Sequence, residues 1–426
     1  MKSTTMSSQK VIVVGCGVFG LSTALAFAKK GYRVTALDSF ETPSPWSAAN
    51  DLNKIIRIEY PDEITAKLSV EALQMWESSP IYKNCFVKSG RFVLSPFDSS
   101  SKRSEYEKRS YDIIELLGVK QRIVKVTNRN DLESLVPQFK NNNLPENFNA
   151  TYNYDCGVGL SSKALRETFN LAKAEGVNFI FGEDGKATGI LDNMVTVASG
   201  KEYFSDIILV AAGAASGFLV PLDRQVKPFA AFVTHIKLTP EEYEKYKDIP
   251  IFFSAEIGYF FPPDEESHEI KLALTTCDGY ALESDPFKPN EKVRLPHFNT
   301  DYPSQTFPEC GKKDIAKVLN LIVPDLASHS LVNSKTCWTS DSCDSYFLID
   351  KCPYYKGVYV ATGDSSHAFK FLPNIGKYIV QRIEGTLSPE LQEVWKWRVA
   401  PDFDGKLSSR YPRPHLNLDE IKFIDN

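Results

Sequence analysis

The sequence predicts an α/β fold joined to an α+β part: a parallel βαβ domain assembled from separated segments, with a second, mostly antiparallel β domain laid over it. Three observations predict this. A strand, a glycine-rich turn, a helix and a second strand follow one another from Lys10 to Asp38. Two later stretches repeat parts of that pattern, and the stretches between them alternate apolar and polar residues with a period of two.

The first unit reads "KVIVVGCGVFGLSTALAFAKKGYRVTALDSF". Val11 to Val14 form a β-branched run, as expected of a buried parallel strand. Gly15 permits the tight turn, Gly17 lets backbone approach a pyrophosphate, and Gly20 lets the helix pack closely on the strand. The helix, Leu21 to Lys29, stops at Lys-Lys-Gly and turns its N-terminus to the phosphate charge. "RVTALD" then ends in Asp38, eighteen residues after Gly20, placed to accept hydrogen bonds from a ribose. This is a dinucleotide fingerprint that does not separate NAD from FAD. The loop that follows, "ETPSPWSAANDLNKIIRIEYPDE", favours FAD because the strand–helix alternation ceases. Its Ser, Asn and Asp are turn and capping residues, and one helical turn would set Lys54 and Arg57 on one face, toward a flavin ring and an anionic substrate.

The second unit runs from "SSKALRETFNLAKAEGVNFIFG", a helix then a strand, through a hairpin to "FSDIILVAAGAAS", a buried strand ending in small residues. The third is "GVYVATGDSSHAFKFLPNIGKYIVQRIEG". Together these place a discontinuous dinucleotide domain over residues 1–89, 151–221 and 336–426. Residues 90–150 and 222–335 carry alternating strands such as "AAFVTHIKL" and "EIKLALTT" and the Pro-rich polar loop "ESDPFKPNEKVRLPHFNTDYPSQ"; they are expected to form the substrate domain. The mixed-charge cluster "SSSKRSEYEKRS" reads as a solvated helix or loop.

A chain of 426 residues exceeds one ordinary hydrophobic core, and 42% hydrophobic with 24% charged residues is the composition of a soluble globular protein. A net charge of −5 makes no case for nucleic acid or an anionic membrane. No apolar run reaches the roughly 20 residues of a spanning helix. "MKSTTMSSQK" is unlike a signal peptide and "FIDN" is not a peroxisomal tripeptide, so a cytoplasmic, monomeric protein is expected. The eight cysteines are dispersed with no CxxC pair, and the six histidines form no HxxxH array, which argues against a disulfide framework and against a metal site. For Cys337, in "SKTCWTSDS", two readings remain: a buried packing residue or a covalent handle on a cofactor.

Taken in order, "GCGVFGLSTAL" with Asp38, "NDLNKIIRIEY", "EIKLALTT", "TCWTSDSCDSYFLID" and "GDSSHAFKFLPNIGK" resemble the monomeric sarcosine oxidase group of flavoproteins over nearly the whole chain. Within that group they are most similar to the fungal fructosyl amino acid (Amadori) oxidases and the saccharopine and pipecolate oxidases. The resemblance implies an FAD-binding domain of the glutathione reductase and D-amino-acid oxidase kind, with FAD held by an 8α-S-cysteinyl bond to Cys337. It implies that Lys271 promotes the reaction with O2, since an ammonium stabilises the negative charge that develops as superoxide forms. It places Arg57 and Lys370 on the substrate carboxylate, one as a fork and one as a point charge, and Lys54 over the flavin face. The FAD-binding set it implies is Gly15, Gly17, Val18, Phe19, Gly20, Asp38, Ser39, Asn50, Asn53, Lys54, Cys337, Phe369, Lys370 and Phe371.

The chain also departs from the group. After Lys271 it reads Leu-Ala-Leu-Thr-Thr, without the histidine of sarcosine oxidases or the acidic residue of many Amadori oxidases, which argues against a sarcosine-specific pocket. "VWKWRVAPDFDG" has Val399 where a Trp-Arg-Pro element has proline, and Arg398 is assigned no role. The expected activity is oxidation of a secondary-amine amino acid to an imine, hydrolysis of the imine, and reduction of O2 to hydrogen peroxide; saccharopine, pipecolate and fructosyl amino acids are the candidate substrates. A nicotinamide-dependent dehydrogenase and a non-catalytic dinucleotide-binding protein are the alternatives.

Overall fold

The computed structural model describes residues 9–222, 224–399, 401, 403 and 413–424. Its first sheet has six strands in the order Leu348–Lys351, Val358–Thr362, Ile207–Val210, Lys10–Val14, Arg33–Leu37, Asn178–Ile180. All neighbours are parallel except the outermost pair, Leu348–Lys351 with Val358–Thr362. Lys10–Val14 lies inside the sheet, and its four valine and isoleucine side chains are buried, as a strand covered on both faces requires.

Helix Val18–Lys29 covers one face and is itself covered by Ile375–Glu384. Two glycines make these contacts close. A Cβ on Gly20 would stand 1.7 Å from Gly15 O, and one on Gly376 would stand 2.0 Å from Ser22 O. Trp76, Phe27 and Trp395 fill the core beside these helices.

The second sheet has ten strands and is mostly antiparallel. Its backbone is the long pair Val226–Lys237 and Leu331–Ser342, flanked by Glu269–Ala273 and Asp278–Tyr280. Arg91–Leu94 joins it in parallel with Ile251–Ser254. The sheet crosses the expected domain divisions, because Ala150–Asn153, Leu331–Ser342 and His415–Asn417 all pair within it. The 12 residues of Leu331–Ser342 span about 40 Å as an extended strand, enough to run from one domain into the other. Lys54–Ile56, Gly157–Gly159 and Phe86–Val87 form a separate small sheet.

Two local expectations change. Lys54–Ile56 is a strand, not a helical turn; its β-branched isoleucines and the ladder to Gly157–Gly159 outweigh the spacing of the cations. The Pro-rich polar loop contains a short hairpin, Leu282–Ser284 with Lys292–Arg294. Among the described residues, no helix is long and apolar enough to cross a membrane.

Candidate active site

The C-terminal ends of the parallel strands make a cradle at the first glycine turn. Gly15 has φ +100° and its Cβ would lie 2.5 Å from Ala211 O, so only glycine fits there. Gly17 differs: the only atom near its missing Cβ is Ser47 Oγ at 3.6 Å, so its backbone faces open space. The Asp38 carboxylate accepts the Cys16 N–H at 2.7 Å and the Phe40 N–H at 3.1 Å. Burial pushes this carboxyl up, and those N–H groups offset part of the shift. Val18 opens the helix, while Phe19 turns its ring into the core against Phe347. Ser39 O accepts from Gly182 N, and the Asn50 amide spans Pro43 O and Ser162 Oγ.

Three lysines converge on one buried carboxylate, Asp51. Lys271 Nζ donates to Asp51 Oδ2 at 2.6 Å and to Asn53 O at 2.6 Å, and its side chain is 1% exposed. Lys54 Nζ lies 2.8 Å from the same oxygen, and Lys335 Nζ 3.6 Å from Oδ1. Burial alone would raise the Asp51 carboxyl, but the three ammoniums hold it well below the usual range. Burial pushes Lys271 down to about 7 despite the pull of Asp51. Asn53 Oδ1 and Ser340 Oγ are buried here without a hydrogen-bond partner.

Cys337 stands opposite Ala231 in the long strand pair, half-buried, with Sγ 3.3 Å from Ala48 O. The adjoining Trp338 is anchored by Nε1 on His297 O at 2.6 Å. Lys54 feels the charge of both Asp51 and Cys337.

A cavity of about 630 Å³ opens beside this cluster. Its inner wall carries Arg57, Glu59, Arg91 and Lys370. The Arg57 guanidinium lies 4.3 Å over the Tyr60 ring and donates to Glu59 O; Lys370 Nζ is 5.4 Å from the same ring and donates to His367 O at 2.7 Å. Glu59 takes Arg91 Nη2 at 2.8 Å, Asn153 Nδ2 at 2.9 Å and the Cys156 thiol at 3.3 Å. Burial would raise Glu59, but Arg91 and Arg57 hold it at about 2. Burial, then Arg57 and Arg91, push Lys370 well below the usual lysine range. Two guanidiniums thus flank one internal carboxylate beside a lysine whose charge burial disfavours, and a carboxylate ligand would bring the negative charge that restores it.

The structure therefore brings Lys54, Arg57, Lys271, Lys370, Asn53 and Cys337 into one region. Phe369 lines the cavity, whereas the Phe371 side chain is fully buried against Phe347. The helix Lys102–Leu116 is more than the solvated element its charges imply. Arg103, Tyr106, Glu107 and Ser110 share one face and line the cavity. Arg103 is flanked by the Tyr106 and Phe253 rings at 4.6 and 5.4 Å and held by Glu107 at 3.1 Å. Asp51, Glu59 and Arg91 are absent from the sequence-based set. Asp51 lies in the same short loop as Lys54, and that proximity was its only signal.

These residues fit a dinucleotide: an open approach at Gly17, a carboxylate at Asp38 just past the second strand, and buried polar atoms without a hydrogen-bond partner at Asn53 and Ser340. The chain belongs to the FAD dependent oxidoreductase family, whose pattern it matches over residues 10–382. That membership decides for flavin where the fingerprint left nicotinamide open, and the expected fold class is borne out. L-saccharopine oxidase of Schizosaccharomyces pombe is 36% identical over 433 aligned positions, covering 98% of this chain and 99% of that protein. Monomeric sarcosine oxidase of Bacillus sp. (strain B-0618) is 22% identical, covering 87% and 91%. Among solved structures, fructosyl peptide oxidase from E. terrenum superposes with a TM-score of 0.89 at 30% identity over 99% of each chain. Amadoriase II from Aspergillus fumigatus in complex with FSA gives 0.87 at 27% identity, over 98% of this chain and 97% of that one.

Proposed function

We infer that the protein oxidises the CH–NH bond of a secondary-amine amino acid carrying more than one carboxylate, of which saccharopine is the model, with O2 as acceptor. The observation that carries this reading is the surplus of cations along the cavity. Arg57 and Lys370 take the α-carboxylate at the inner end, and Lys102 and Arg109 stand along the outer wall where a distal carboxylate would lie, Arg103 being held by Glu107. The similarity to L-saccharopine oxidase supports the same substrate class. No acidic side chain follows Lys271 at Leu274 or Thr275, both of which line the cavity, so a sugar finds no carboxylate there. A sarcosine-sized molecule would fill only a small part of about 630 Å³.

Bound FAD supplies the acceptor for two electrons, and the imine left on the substrate is hydrolysed to a carbonyl compound and an amine. The protein orients and shields. Arg57 and Lys370 fix the carboxylate and with it the direction of the C–N bond. Tyr60, under both cations, closes the inner wall, and burial of Lys370 excludes water from the clamp. Lys271 places an ammonium where charge develops as oxygen is reduced to hydrogen peroxide. Cys337 is the covalent attachment point of the flavin, supported by its half-exposed thiol at the Lys54 cluster. A cytosolic setting belongs to the same proposal; no disulfide joins the eight cysteines, all of which are among the described residues.

Peroxide release from saccharopine, pipecolate, fructosyl-valine and sarcosine tests the reading. Saccharopine should lead in kcat/KM by at least about tenfold. A preference for sarcosine or pipecolate would sink the distal-carboxylate argument.

A further inference from the structure

Arg398 stands outside the cavity, yet both its backbone and its side chain are held. Its N–H donates to Gln225 Oε1 at 2.8 Å, its carbonyl accepts from Gln225 Nε2 at 2.7 Å, and Gln225 is fully buried. Its guanidinium grips Asp344 as a fork, Nε to Oδ2 at 2.9 Å and Nη2 to Oδ1 at 2.6 Å, and Nη2 also reaches Tyr346 O at 3.1 Å.

The turn so held leads into the cavity. Tyr346 N donates to Asp344 Oδ1 at 3.0 Å, and Ser345 between them has φ +65°, a left-handed conformation that a serine keeps only when its surroundings impose it. That conformation presents Ser345 O to His367 Nε2 at 2.9 Å. Nε2 therefore carries the proton, and Nδ1, 3.2 Å from the Tyr60 hydroxyl, accepts from it. His367 O in turn accepts from Lys370 Nζ. Asp344, Ser345, Tyr346 and His367 all line the cavity.

We propose that Arg398 is a positioning residue for substrate binding: its fork on Asp344 sets the turn that orients His367, and through His367 both Tyr60 and Lys370. The inference rests on the reading of Lys370 as a carboxylate-binding group. A planar fork fixes the direction of Asp344 in a way a single ammonium does not. Without it Asp344, whose side chain is 37% exposed, keeps only the Ser342 hydroxyl and the Tyr346 N–H on Oδ1, and the hold on the Ser345 turn loosens.

The test compares flavin-loaded wild type with Arg398→Gln, Arg398→Lys, Asp344→Asn and the double variant Arg398→Gln/Asp344→Asn. It reads KM and kcat with saccharopine, difference-absorbance titration with acetate as a bare carboxylate, and the melting temperature. Arg398→Gln and Asp344→Asn should each raise KM and the acetate Kd by about tenfold while kcat stays within about threefold. The double variant should be no worse than either single one, and Arg398→Lys should recover part of the loss. Unchanged KM and acetate Kd, whatever the melting temperature does, would overturn the proposal and leave Arg398 a tie for the chain terminus. Lys370→Ala separates the two readings. If it raises KM and Arg398→Gln does not, only the positioning role falls; if neither does, both fall.

Discussion

Replacing Lys271 by methionine keeps the length of the side chain and removes its charge. In the folded protein Nζ lies 2.6 Å from Asp51 Oδ2 and 2.6 Å from Asn53 O, almost wholly buried, with its pKa pushed down to about 7. The ammonium is therefore present below that pH and lost above it. If the cation stabilises the charge arriving on oxygen, its loss costs about 10²–10³ in rate, the range for a single preorganised electrostatic group. The assay is stopped-flow mixing of substrate-reduced enzyme with oxygenated buffer between about pH 6 and pH 9. Wild type should slow as pH rises through about 7. Lys271→Met should be slow by that factor and flat across the range, while its anaerobic reduction by substrate changes by no more than about threefold. Equal losses in both half-reactions, or a methionine variant that keeps the pH inflection, would refute the assignment.

The remaining predictions concern the cradle, the tether and the lysine hub. Gly20→Ala drives a methyl into Gly15 O and should give little folded protein, whereas Gly17→Ala, with only Ser47 Oγ nearby, should fold with a near-normal melting temperature once FAD is withheld and lose flavin affinity. Cys337→Ser should release its flavin into acid; acid-stable flavin in that variant would move the attachment elsewhere, with Cys343 the next residue to examine. Asp51→Asn leaves Lys271 and Lys54 without their carboxylate, and should lower stability by about 3–5 kcal/mol in denaturant titrations and move the pH midpoint of the oxygen reaction below that of wild type.

The part of the fold legible in the sequence is the part whose residues answer to local sterics. Gly15, Gly17 and Gly20 and the strand ending in Asp38 are required by a turn, an approach and a packing distance within one short segment, and such requirements leave a readable pattern. Lys54 and Arg57 lost their predicted helical turn because a ladder to Gly157–Gly159, far along the chain, decides the backbone there. Charge partners were hidden for the same reason. Asp51 meets Lys271 and Glu59 meets Arg91 only after the two sheets pack, and neither pair has a sequence spacing to betray it. The mixed-charge helix Lys102–Leu116 misled because charge usually marks a solvated face, whereas here Arg103 lies between two aromatic rings. Arg398 stood in a Trp-Arg-Pro-like element without a role, since its partner Asp344 lies in a turn 54 residues earlier that only the fold brings to it.

The central claim is that this chain takes two electrons from a secondary-amine amino acid and passes them to oxygen. Its most direct test is anaerobic mixing of the yellow, flavin-loaded protein with saccharopine, followed by admission of air. The account predicts that the colour bleaches and returns with one equivalent of hydrogen peroxide. A chromophore left oxidised by saccharopine, by pipecolate and by fructosyl-valine alike would contradict it.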